Sequence, residues 1–290
     1  MKLGVSSYSL INLVRSGQIK QIDVISLAKD LGCDLIEFVP FILEENETNE
    51  DFAVRAKAEC ARVGIEMGSY TVGADFINGS DGDLDAEIQR VKGEVDIARL
   101  LGSKTMRHDA TVGFSKEHTG PRDFDAALPR LIEGCRAVTE YAQEFGIQTM
   151  IENHGFFCQD SDRVEKLING VDHPNFGLLL DMGNFVCVDE SPETAMGRLM
   201  PYAFHVHAKD FHIKSGMHPD PGQGWFRSRG GNYLRGAIIG HGDVAIAQCL
   251  RIAKDSGYKG ALSIEFEGME DPKAGVGIGL ENLRKYLALI

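Results

Sequence analysis

Residues 145–154 read FGIQTMIENH. Phe145 closes a helical stretch over 123–145, and Gly146 supplies the left-handed cap that glycine adopts at least steric cost. A short apolar run follows at once, Ile147 to Asn153, of strand length and strand composition. It ends on Glu152 and His154, two titratable groups where a buried strand reaches its end. The same helix–Gly–strand junction recurs as LGCD at 31–34 and VGIE at 63–66, and SGYKG at 256–260 leads into the last strand.

Working outward from that junction, eight strand-like runs emerge: Leu3–Tyr8, Asp34–Val39, Gly64–Thr71, Lys104–His108, Ile147–Asn153, Phe176–Asp181, Ala203–Ala208 and Ala261–Phe266. Helical segments lie between them. Residues 20–31 set Val24, Leu27, Ala28 and Leu31 on one face; 84–101 carries a stripe of Ile88, Val91, Val95, Ala98 and Leu101; 51–62, 123–145 and 244–256 behave alike. Strands alternating with helices require parallel pairing through helical crossovers. Eight such units ending in a helix at 279–289 predict an α/β fold, a closed (β/α)8 TIM barrel, as a single domain over 1–290. An open doubly wound sheet would carry a Gly-rich phosphate turn after its first strand; SLINLVRSG stands there instead, with no GxGxxG.

Composition excludes several classes of function. The 290 residues hold 43 acidic and 30 basic side chains, a net charge of −13, which opposes a partner recognised through its phosphate backbone. No run approaches the ~20 apolar residues of a membrane span. The opening MKLGVSSYSLINLV lacks the apolar core and cleavage pattern of a secretory leader. Six scattered cysteines with no CxxC read as free thiols in a reducing compartment, so a cytoplasmic location is expected.

In a barrel of this kind function sits at the C-terminal ends of the strands. The fifth strand presents Glu152 and His154; the sixth, GLLLDMGNF, Asp181 and Asn184; the seventh, FHVHAKD, His205, His207, Lys209 and Asp210; the eighth, LSIEFEG, Glu265 and Glu267. An unpaired charge at such a half-buried position is costly. Four successive strands nevertheless carry one, and Glu152, Asp181, His207 and Glu265 make three oxygen ligands and one nitrogen ligand. That set suits a hard divalent ion, Mn²⁺ foremost, with Mg²⁺, Co²⁺ or Zn²⁺ as alternatives. Alternation puts His205 on the same face as His207, one layer lower. It also suggests that His108 reaches the pocket while Arg107 points to the opposite face of its strand.

Strand ends reading IENHG, LLLDMGN, HVHAKD and IEFEG, with IGHGDVAI before the last helix, resemble the xylose isomerase-like TIM barrels, the superfamily of sugar phosphate isomerases, epimerases and AP endonuclease 2. The resemblance covers essentially the whole chain. It implies one divalent metal held by Glu152, Asp181, His207 and Glu265, with the two glutamates as acid and base. The chain departs from the ketose epimerases in two places: Asn184 stands where they carry a His, and Ala-Lys-Asp follows His207 where they carry Gly-Glu. IENHG in turn resembles barrels acting on inososes or 3-keto-glycosides, including C-glycoside-cleaving subunits.

The resemblance implies a divalent-metal-dependent sugar isomerase or epimerase that abstracts a proton beside a carbonyl through a metal-stabilised enediolate. The alternative is a lyase or dehydratase of an oxidised sugar. An endonuclease and a non-catalytic sugar-binding protein complete the set, and a homo-oligomer stays open. His154 is an added base candidate. Lys209, Asn184, His108 and Glu37 are candidate substrate contacts, Glu37 equally a brace for a deeper residue and Lys209 equally a partner of Asp210. The long segment 210–243 contains the one Trp, Trp225, beside Arg227 and Arg229, and reads as a loop serving as substrate lid or oligomer contact.

Overall fold

The computed structural model describes residues 1–290. Six strands and their helices come first: β1 (Leu3–Ser6), α1 (Ile11–Arg15), α2 (Asp23–Asp30), β2 (Leu35–Phe38), α3 (Asn49–Val63), β3 (Glu66–Val72), α4 (Leu84–Leu101), β4 (Thr105–His108), α5 (Phe124–Gln143), β5 (Gln148–Glu152), α6 (Ser161–Val171) and β6 (Phe176–Asp181). Then come α7 (Pro192–Leu199), β7 (Ala203–Ala208), β8 (Asp210–Lys214), β9 (Phe226–Arg227), β10 (Tyr233–Ala237), α8 (Ile246–Asp255), β11 (Leu262–Ile264) and α9 (Pro272–Leu289). Strands β1 to β7 and β11 close into a parallel barrel, β11 returning to β1. The eight strands expected from the sequence are these eight.

Local chemistry sets the element ends. Gly32, Gly64 and Gly146 follow their helices at φ of 86°, 70° and 68°, the left-handed caps the junctions call for. Thr48 and Asp51 exchange side-chain and backbone bonds in a capping box at the start of α3, and Asp83, Asp123 and Asp271 cap α4, α5 and α9. The apolar faces of the helices and the outward faces of the strands form one core.

Strand register carries a single parity around the lumen. Arg107 lies opposite Met150, Glu152 opposite Leu179, Leu179 opposite His205, Asp181 opposite His207, His207 opposite Ser263, and Ser6 opposite Glu37. Paired residues of parallel strands face the same way, so Arg107, Glu152, Asp181, His205, His207, Glu265 and Glu37 share the inner face. At the exit of β6 a Cβ on Gly183 would come 2.6 Å from the Lys209 carbonyl, so only glycine lets the exits of β6 and β7 approach this closely.

The segment 210–243 is not a plain loop. Strands β8, β10 and β9 form an antiparallel sheet in that order, with Phe211, Tyr233 and Leu234 buried. Its apolar residues are too widely spaced among Gly and Pro for the strands to stand out in sequence. No helix is long and apolar enough to cross a membrane. All six cysteines are buried and unpaired.

Candidate functional site

Glu152 at the end of β5, Asp181 at the end of β6, His207 on β7 and Glu265 just past β11 converge at the C-terminal mouth, with one ligand atom of each within 4.8 Å of the others. Asp181 and His207 are buried, and each leaves an atom without a hydrogen bond: Oδ2 of Asp181 and Nδ1 of His207, 3.9 Å apart. Glu265 Oε1 lies 3.8 Å from the same Nδ1. Orphaned buried polar atoms are rare because they carry a desolvation penalty. Three carboxylate oxygens and one imidazole nitrogen turned inward on a common point fit a divalent ion.

The charges agree. Burial pushes the Asp181 carboxyl up, with Glu152 and Glu265 adding to the push and Lys209 opposing it. Burial disfavours a charged imidazole at His207, yet the carboxylates of Glu37 and Glu265 override it and drive the group up to about 10. A field strong enough to hold a proton on a buried imidazole is a field a divalent cation would neutralise.

Behind the centre, Glu37 from β2 is fully buried. His207 Nε2 donates to its Oε2 at 3.0 Å, and His205 Nε2 lies 2.6 Å from its Oε1 and 3.1 Å from Ser263 Oγ. Burial opposes ionisation of Glu37, but the two imidazoles hold its carboxyl well below the usual range. This contact holds the His207 ring through Nε2 and turns Nδ1, which has no hydrogen-bond partner, toward the centre, the orientation a carboxylate commonly gives a metal-binding histidine.

In front of the centre a cavity of about 350 Å³ opens, lined among others by Tyr8, Arg15, Arg107, Glu152, His154, Lys209, Glu265 and Glu267. Lys209 is buried and its Nζ donates to Glu265 Oε2 at 2.6 Å and Asn184 Oδ1 at 3.0 Å, with Asp181 Oδ2 at 3.3 Å. Asn184 Nδ2 donates to Glu152 Oε1 at 2.9 Å. Arg107 donates to Glu152 Oε2 at 2.7 Å and Asp109 Oδ1 at 2.8 Å. His154, with its side chain 49% exposed, bonds Asp109 Oδ1 through Nδ1 at 3.0 Å and lines the cavity. Burial lowers the His154 pKa, but the Asp109 bond and the Glu152 charge outweigh it, so the net shift is upward from 6.5.

Several expectations are corrected. His108 does not reach the cavity: it points outward, packed near Phe76 and Phe176, and burial lowers its pKa to about 4. Arg107 takes the inward place, because register with Met150 gives it the parity of Glu152. Glu37 lies behind His207 as the brace of a deeper residue and does not line the cavity. Lys209 does not pair with Asp210, whose carboxylate instead accepts from the backbone N–H groups of Gly240, Gly242, Val244 and Phe211 and so shapes the turn before α8. Trp225 and Arg227 stay within the appended sheet: the Trp225 ring lies between Lys214 and Arg235, and Arg227 stacks on Tyr233, neither lining the cavity.

Arg107 and Asp109 are the functional candidates that sequence reading missed. Charge was the available signal, since three converging carboxylates call for a nearby cation. Glu267 and Tyr8 also line the cavity; burial raises the pKa of both, and neighbouring carboxylates add to the rise.

The sequence model of the xylose isomerase-like TIM barrel family matches residues 25–286. An inosose dehydratase of Bacillus velezensis is 26% identical over 190 residues, 64% of this chain and 60% of that protein. The chain thus spans less than two thirds of the length of the curated relatives it matches. A probable 3-DHS dehydratase of Bacillus anthracis superposes with a TM-score of 0.70 at 18% identity, covering 98% of this chain and 99% of that one. A D-psicose 3-epimerase superposes with a TM-score of 0.71 at 17% identity, covering 99% of each chain. At these identities the structural likeness is one of fold.

Proposed function

The chain belongs to the xylose isomerase-like TIM barrel family, and on that premise we propose that it is a divalent-metal-dependent enzyme of keto-sugars or keto-polyols. In this reading it removes a proton beside a carbonyl and eliminates water from the neighbouring carbon. Glu152, Asp181, His207 and Glu265 would hold the ion, Mn²⁺ or Mg²⁺ by donor hardness. Bound there, it would polarise the substrate carbonyl as a Lewis acid.

The observation that carries this reading is an asymmetry between the proton-carrying groups. Both oxygens of Glu152 are engaged, one by Arg107 and one by Asn184. Those bonds fix the Glu152 side chain in one pose and leave neither oxygen free to carry a proton. His154 is the opposite case: oriented by Asp109 through Nδ1, with Nε2 free to take a proton from substrate. Elimination of water needs only one carrier on one face, since the proton taken from carbon can be handed to the departing hydroxyl. Epimerisation needs two carriers on opposite faces. Lys209 supplies a fixed positive charge for the oxygen on which charge develops. The inosose dehydratase relative supports the same outcome.

Isomerisation or epimerisation is the second reading. It is favoured by the convergence of Glu152 and Glu265 from different strands on one cavity. Solvent-deuterium incorporation followed by NMR, with water loss followed by mass spectrometry, over ketoses, inososes and 3-keto-glycosides separates the two. Loss of water mass accompanied by turnover supports the dehydratase; deuterium incorporation without loss of water and with inverted configuration supports the epimerase. Turnover that survives EDTA, or cleavage of abasic DNA, overturns both. The free thiols fit a reducing compartment, which we take to be the cytoplasm.

A further inference from the structure

We propose that the appended sheet acts through Arg229 as a clamp that sets the position of His154, rather than as a lid over the cavity. The inference rests on His154 as the proton carrier, and its starting point is the backbone that bears that residue. Gly155 and Phe156 follow His154 with φ of 77° and 64°. Glycine takes this region freely, but a phenylalanine there is strained and persists only where its surroundings over-determine it.

The surroundings do so from two sides. Gln159 accepts from the Phe156 N–H and donates to the Asn184 carbonyl, each at 2.5 Å, tying the turn to the exit of β6. Arg229 donates to the Phe156 carbonyl and, through both terminal nitrogens, to Asp160. Both polar groups of the strained peptide unit at Phe156 are therefore held by side chains, one of which comes from the appended sheet.

Arg229 is itself held. It lies in the turn between β9 and β10, and its N–H donates to the Cys187 carbonyl at 2.8 Å. Asp189 gathers the same turn, accepting from Ser228 Oγ at 2.7 Å, from Asn232 Nδ2 at 2.8 Å and from the Gly230 N–H. A continuous chain of contacts thus runs from Asp189 through the turn and Arg229 to Phe156, two residues from His154. None of it touches Glu152, Asp181, His207 or Glu265. The geometry gives the appended sheet a positioning role, consistent with Trp225 and Arg227 lying outside the cavity.

Arg229→Ala and Arg229→Lys, compared with the wild type, test the clamp by hydrogen–deuterium exchange of the intact protein, by Mn²⁺ titration and by steady-state kinetics on whichever keto-polyol is turned over. The expected result for Arg229→Ala is at least tenfold faster exchange confined to residues 153–160. Mn²⁺ affinity stays within about twofold, and kcat falls tenfold or more with little change in KM. Arg229→Lys keeps the charge opposite Asp160 and recovers part of both effects. Unchanged exchange over 153–160 overturns the clamp, and so does exchange that rises throughout the barrel. A loosened loop with undiminished kcat, in a protein that His154→Ala inactivates, overturns the positioning role. Should His154→Ala stay active, the reading of His154 fails instead, and the exchange data still decide whether Arg229 holds the turn.

Discussion

The floor and the rim of one cavity each carry a histidine held by a carboxylate, and in the proposed mechanism the two pairs do different work. On the floor, His207 is sealed, its Nε2 donating to the fully buried Glu37 and its Nδ1 left without a partner. On the rim, His154 is half open, its Nδ1 bound to Asp109 and its side chain part of the cavity lining. The contacts are of one kind, but burial and direction differ, which in the proposed mechanism separates a ring fixed as a ligand from a ring free to exchange protons. The floor is built of barrel strands, whereas the rim is built of loops tied down by side chains. Substitutions on the floor should therefore be read in metal binding, and those on the rim in turnover.

The floor gives the largest expected effect. Asp181→Ala should abolish Mn²⁺ binding and activity together while the apo barrel stays folded, checked by calorimetric titration and circular dichroism. Asp181→Asn sharpens the test, because Oδ1 of Asp181 also accepts from the N–H groups of Gly183 and Asn184 at 2.7 and 2.9 Å, and the amide oxygen of Asn can preserve those bonds. If the Asn variant unfolds, Asp181 is structural and the centre is wrongly placed.

The rim should respond in the other currency. His154→Gln is expected to lower kcat by about 10²- to 10⁴-fold, the usual contribution of a positioned acid–base group, with Mn²⁺ affinity unchanged. Equal losses in both measurements would erase the distinction between the two regions.

The floor was legible in the sequence and the rim only in part, His154 standing out beside Glu152 but not the groups that hold it, for a physical reason. Strand alternation is rigid, so one glance at IENHG, LLLDMGN, HVHAKD and IEFEG puts Glu152, Asp181, His207 and Glu265 on one face, and the structure brings those four together. The Gly-capped junctions likewise revealed the barrel. Arg107 and His108 show where this stops: parity within a strand is certain only once register with its neighbour is known, and one step of slip exchanges the two faces. Asp109, past the end of β4, follows no period at all, and the contact of Arg229 with Phe156 joins residues 73 positions apart. No spacing rule reaches that far.

A smaller effect on the floor tests whether Glu37 chooses the ligand nitrogen. Glu37→Gln can turn an amide N–H toward His207 Nε2, which favours the tautomer protonated at Nδ1 and so blocks the nitrogen that faces the centre. A 10- to 100-fold loss of Mn²⁺ affinity is expected, the range for partners that orient a metal-binding histidine. The loss should come with little change in the rate of the fully loaded enzyme. Unchanged affinity would mean that the contact serves only to pack β2 against β7.

The smallest effect belongs to the equivalent contact on the rim, and pH is the way to see it. His154 acts as a base only when neutral, so activity should rise with pH through its pKa. Burial pulls that pKa down, but the Asp109 hydrogen bond and the nearby Glu152 charge more than offset the pull, placing it above 6.5 in the wild type. Asp109→Asn removes the negative charge of that partner and leaves the burial, so the acid limb of the kcat profile should move to lower pH. The plateau should fall about tenfold as the ring loses part of its orientation, and Mn²⁺ affinity should stay in place. An acid limb that does not move would show that some other group carries the proton, and the cavity would then have one working histidine instead of two.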